Sequence, residues 1–271
     1  MRVDEHARPK TSALLALGQI RYQLLLLVRS PLGFFIALVI PLLLLVCLDL
    51  LTPDAATAMP AGLHYAQFLA PAVAAFSLLN TCYVNTITGV VLAREEGVLK
   101  RLRGTPLPVW CYLVGRLGSA FVTSAVAVTV IVTLAVTAFH VTVTARTIGY
   151  LAGVGCLGVV CFFLLGLAVV AAVPKSETAL PVAYGTMLPL AFISDVFFSS
   201  AHAPQWLHDL ASALPVAPVT RAMEAAFLPT TQSWPMSTSA MLTVGGWSIA
   251  AIVVIALTFR WEPGPIRSRR R

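Results

Sequence analysis

The stretch Arg94–Arg116, REEGVLKRLRGTPLPVWCYLVGR, decides how the rest of the chain is read. It holds Glu95 and Glu96 beside five bases, Arg94, Lys100, Arg101, Arg103 and Arg116, and long apolar runs flank it on both sides. Charge at this density must sit in water, and the excess of bases marks the cytoplasmic face of a membrane.

Working outward, the composition supports that setting. Charged residues make up 11% of the chain against about 25% in an ordinary soluble domain. Hydrophobic residues reach 58%. A net charge of +7 would suggest nucleic acid in a soluble protein, but here the bases lie between apolar runs. Contact with anionic lipid headgroups explains them better, and no nucleic-acid partner is expected. The five cysteines form no CxxC pair, and most fall inside apolar runs, which predicts buried thiols. The polar start MRVDEHARPK, with no cleavage site after the first apolar run, does not read as a cleavable signal peptide.

An all-α integral membrane fold follows. Residues 10–30 carry Ser12, Gln19, Gln23 and Ser30 within one narrow arc, which predicts an interfacial helix ended by Arg29-Ser30-Pro31. Six spans of roughly 20 residues are expected at 32–51, 67–93, 117–139, 148–173, 181–199 and 239–260. With both termini inside, sixteen of the eighteen bases are cytoplasmic, and only Arg146 and Arg221 lie outside. Between spans five and six, residues 200–238 read as short amphipathic helices at or dipping into the outer leaflet.

The chemistry of most enzymes is missing. None of the three lysines ends a GxxxxGK run, so there is no P-loop, and no HExxH, GxSxG or GxGxxG pattern occurs. The chain reads as a non-enzyme that binds no metal or other cofactor itself. Span two carries Ser77, Asn80, Thr81, Asn85 and Thr88 at steps of three and four, a candidate substrate path or a set of inter-helix hydrogen bonds. Thr129, Thr133 and Thr137 in span three are spaced for bonding back to their own helix carbonyls. Gly149, Gly153 and Gly158 offer span four a small-residue surface. No ionisable residue lies at mid-membrane, which weighs against an ion-coupled carrier or channel, the reading from another functional class.

Four segments, in order, resemble the permease subunits of type-two ABC exporters, in particular the drug- and antibiotic-resistance branch. They are VRSP (Val28–Pro31), REEGVLKRLRGTPLP (Arg94–Pro108), KSETA followed by LPLAFISDVFF (Leu188–Phe198), and PQWLHDLASALPVAPVTRAMEAAF (Pro204–Phe227). The second is similar to an E-x-G-T-L-x-x-L-x-x-T-P pattern, with Val98 in place of the threonine. The third carries Asp195 where a glycine is usual.

The resemblance implies a single permease domain that pairs with a second copy or a paralogue, sits among membrane lipids and binds two cytosolic ABC ATPase subunits. ATP and Mg would be held by those partners. It implies a coupling helix over 94–104, with Arg94, Glu95, Glu96, Gly97, Leu99, Lys100, Arg101, Leu102 and Arg103 as ATPase-coupling residues. Phe192, Asp195 and Phe198 would belong to an outer gate. The expected setting is a bacterial plasma membrane and the cargo an amphipathic or hydrophobic drug, antibiotic or lipid. A polysaccharide or glycolipid is the rival within the family.

Overall fold

A computed structural model describes residues 18, 20, 21, 25, 39–47, 65–98, 101, 109–194, 205–228, 231 and 233–258. Every regular element among them is helical. Helix α1 (Tyr65–Leu79) runs through a π turn (Asn80–Val84) into α2 (Asn85–Glu95). Then come α3 (Val109–Phe139), α4 (Ala145–Val170), α5 (Ser176–Ile193), α6 (Gln205–Ala213), α7 (Val216–Phe227) and α8 (Thr238–Thr258).

Four helices among the described residues are long and apolar enough to cross a membrane: Gln67–Glu95, Cys111–Phe139, Ala145–Val170 and Thr238–Thr258. They lie within a few residues of the expected second, third, fourth and sixth spans. The third begins earlier than expected, because Arg116 does not end the apolar run but sits inside α3. At 1.5 Å per residue, the 31 residues of α3 reach about 46 Å, well beyond ~30 Å of hydrocarbon. The expected fifth span corresponds to α5, whose 18 residues reach about 27 Å and include Pro181 and Pro189. Of the expected first span, residues 39–47 are described and helical, with Leu45 fully buried. Of the interfacial segment, Ile20 lies against Gly118 of α3.

The element with the most buried surface is the α1–π–α2 helix. Every residue from Leu69 to Val84 is buried. Around it stand α3, α4 and α5, while α8 packs along α4 and keeps most of its surface outside. Apolar outward faces are expected of a bundle whose solvent is lipid, which is as apolar as leucine. The same reasoning corrects the expectation of buried thiols. Cys82, Cys111 and Cys161 are buried, whereas Cys47 and Cys156 face outward, and all five are free.

Helix α7 is short but not peripheral. Nine of its twelve residues are buried, and it packs against α1 and α4. Its C-terminal carbonyl at Phe227 accepts from Gln67 Nε2 at 3.2 Å, so α7 is held at the Gln67 end of the bundle. Helix α6 ends nearby, where the Ala213 carbonyl accepts from Trp247 Nε1 of α8 at 2.8 Å.

Candidate functional site

The polar stripe of span two divides into two environments. Ser77, Asn80 and Thr81 are 0%, 4% and 2% exposed, and Ser77 Oγ, Asn80 Oδ1 and Thr81 Oγ1 have no hydrogen-bond partner among the described residues. Asn85 is exposed, and the half-buried Thr88 bonds to its own helix at Val84 O, 2.9 Å. The structure therefore brings the first three together inside the bundle and leaves the last two outside that cluster.

The π turn holding Asn80 and Thr81 is also where three other spans meet. Cys82 Sγ lies 3.2 Å from Ser124 Oγ of α3. The Tyr83 hydroxyl lies 2.8 Å from Thr186 Oγ1 of α5. Gly166 of α4 approaches so closely that an added Cβ would stand 2.9 Å from the Tyr83 carbonyl oxygen. Wide turns of this kind are rare and are found often at functional sites. Neither the π turn nor Gly166 was legible as a site; the stripe spacing located the residues but not the turn that gathers them.

The charged end of span two is built differently. Helix α2 closes at Glu95; the Glu96 amide donates to Leu92 O at 2.9 Å and the Gly97 amide to Arg94 O at 3.2 Å. Gly97 has φ +70, a left-handed conformation that suits glycine, and the chain turns there. A new helical hydrogen bond then forms, Arg101 N to Gly97 O at 3.0 Å, and the Arg101 guanidinium also donates to Glu96 O. Arg94 and Glu95 thus belong to the span helix, while the bond from Arg101 back to Gly97 belongs to the next segment. Leu99, Lys100, Leu102 and Arg103 lie outside the described residues.

Arg94 and Glu95 both reach the loop between α4 and α5. The Arg94 guanidinium donates to the carbonyl of Val173 and, at 3.5 Å, to that of Val170. Glu95 Oε2 accepts from the Ser176 backbone amide at 2.7 Å. On the neighbouring turn of the bundle, Arg116 of α3 donates to the Asn85 carbonyl at 2.8 Å, and its guanidinium occupies the space a side chain at Gly89 would need. This explains how a charged residue can stand inside a long apolar helix: a neighbouring backbone carbonyl is within its reach.

At the other end, Phe192 is exposed near the end of α5, while Asp195 and Phe198 lie outside the described residues. No cluster of three metal-ligating side chains occurs among the described residues.

A buried span with a polar turn, ringed by long apolar helices and ending in a charged loop, defines a multi-pass membrane transport component. The chain belongs to the ABC-2 type transporter family, whose profile matches residues 19–228. Membrane components of this family lack a nucleotide-binding site and pair with ABC ATPase subunits. Comparison with curated proteins found no match.

Proposed function

We propose that this chain is the membrane subunit of an ATP-driven exporter of amphipathic or hydrophobic compounds, such as drugs, antibiotics or lipids, in a bacterial plasma membrane. Six spans with both termini cytoplasmic fit the distribution of bases, with α5 and the helix over 39–47 supplying the fifth and first. The segment from Arg94 to Arg103 takes the force of ATP binding on the partner subunits, and Phe192, Asp195 and Phe198 are the candidate outer gate. Two permease copies, or this chain and a paralogue, would enclose the path.

The observation that carries this reading is the trio Ser77, Asn80 and Thr81. Each buried polar group without a partner costs about 1–3 kcal/mol. The packed bundle around the π turn is therefore strained in its hydrogen bonding. Rearrangement that admits a compound with a donor or acceptor on an apolar frame relieves that cost. The neighbours of the trio along the same helix, including Leu78, Leu79 and Val84, are buried and apolar, which suits a largely hydrophobic cargo better than a carbohydrate.

The test is an antibiotic-susceptibility panel in cells expressing the chain with its ATPase. Asn80→Leu is expected to change which compounds are exported while membrane abundance stays at the wild-type level; Asn85→Leu should do so less. Loss of abundance with no change in selectivity would assign Asn80 a packing role. Export that continues without ATP hydrolysis and follows an ion gradient would sink the exporter reading itself.

A further inference from the structure

Every helix start leaves backbone amides without partners, and a side-chain oxygen at the N-cap normally takes one of them. Helix α5 begins at Ser176 behind Lys175, a residue with no acceptor to offer, and it has no side-chain cap of its own. The acceptor comes instead from Glu95, 81 residues earlier in the chain, at the end of span two. One residue before it, Arg94 covers the carbonyls of Val170 and Val173, where α4 ends. The base thus meets the negative end of one helix dipole and the acid the positive end of the next, so both contacts have the favourable sign.

We propose that Arg94 and Glu95 form a yoke that ties the end of span two to spans four and five. They are positioning residues rather than ATPase contacts. This rests on the coupling role proposed above for Arg94–Arg103 and narrows it, leaving the ATPase contact to the residues after Gly97 and giving Arg94 and Glu95 the transmission of its motion. Force applied beyond the turn at Gly97 reaches α2 first. Through Glu95 it moves the start of α5, and through Arg94 the end of α4, so neither helix has to touch the ATPase. Residues after Gly97 are left to make the intermolecular contact.

Ser176→Pro separates the yoke from the coupling segment. Proline is favoured at the first position of a helix, and in place of serine it lacks both the amide hydrogen and the hydroxyl, the two Ser176 groups that bond Glu95. Lys175 before it has φ −133 and ψ 152, the extended conformation a following proline requires. The substitution therefore removes both donors to Glu95 with no change in Arg94–Arg103.

The experiment uses the permease–ATPase complex in nanodiscs, with Cys47→Ala and Cys156→Ala and a nitroxide label on Phe192→Cys. It reads the change in label mobility on adding ATP and vanadate, and co-purification of the ATPase. Ser176→Pro and Glu95→Ala are each expected to lose the mobility response while the ATPase still co-purifies. The double variant should be no worse than either single one.

A third variant keeps the test decisive if α5 is weakened. Glu95→Ala with Lys175→Asp supplies a local cap, which should restore thermal stability but not the response; recovery of both would reduce Glu95 to a structural cap and overturn the proposal. A normal response in Ser176→Pro would also overturn it. So would loss of co-purification in Glu95→Ala alone, which would make Glu95 an ATPase contact and leave the coupling reading intact. If the ATPase does not co-purify with the wild-type chain, the coupling reading is what fails.

Discussion

At Gly166 the backbone of span four stands close against that of span two, and replacing it with alanine measures how tightly the π turn is held. The added methyl would lie 2.9 Å from the Tyr83 carbonyl oxygen, 3.2 Å from Tyr83 Cα and 3.3 Å from Thr86 Cβ. Favourable carbon contacts begin near ~3.5 Å, so α4 must retreat by roughly half an ångström. The turn cannot readily yield, because Cys82 meets Ser124 and Tyr83 meets Thr186 on other helices. Overpacking of this kind costs about 1–3 kcal/mol. Alanine in a helix returns up to about 1 kcal/mol relative to glycine.

Gly185 of α5 is the internal control, since nothing stands within 4 Å of a Cβ there. Gly185→Ala should keep the helical gain, whereas Gly166→Ala should lose it to the clash. The two variants should differ by about 1–3 kcal/mol, at roughly 2–4 °C of melting temperature per kcal/mol for a chain near this size. Thermal stability of the purified protein in detergent, read by size-exclusion of a fluorescent fusion, supplies the comparison. A Gly166→Ala protein as stable as Gly185→Ala would refute the close backbone approach.

Gly89→Ala should destabilise the wild-type chain and do so less in Arg116→Ala, because the atoms nearest an added Cβ are those of the guanidinium. A double-mutant cycle on melting temperature should return a coupling of about 0.5–3 kcal/mol, and additivity would place Arg116 elsewhere. Thr129, Thr133 and Thr137 are exposed and bond back to Ala125, Thr129 and Thr133 carbonyls at 2.7, 2.7 and 2.8 Å. Replacing each with valine should alter stability by no more than about 0.5 kcal/mol, and a larger loss would reveal a partner across the helix.

Four of the six expected spans, and the behaviour of those three threonines, were legible because both depend on local spacing. Gly166 was not, because its importance depends on what lies opposite. The GxxxG pair at Gly149 and Gly153 shows the same limit. Gly149 faces open space, and Gly153 admits the ring of Trp234 rather than a helix backbone. Arg94 and Glu95 could be read as charged and cytoplasmic, but not as the caps of two other helices. Their partners are backbone groups 76 to 81 residues away, which no side-chain pattern records. Helix α7 looked amphipathic and peripheral for a related reason: a short helix with one apolar face can lie on lipid or slot between helices. Only the groove left by α1 and α4 decides between the two.

That groove has a consequence for how the protein is made. Both of its walls are synthesised before α7, so the emerging segment meets a docking place already formed. Gln67 then waits 160 residues for the Phe227 carbonyl that it will bond. Until that residue arrives, the amide's partner among the described residues is Thr142 Oγ1, at 3.4 Å. Completion of the bundle at this end is therefore a late event in biogenesis, and a chain cut short before residue 216 would leave an apolar cleft for a quality-control protease to find.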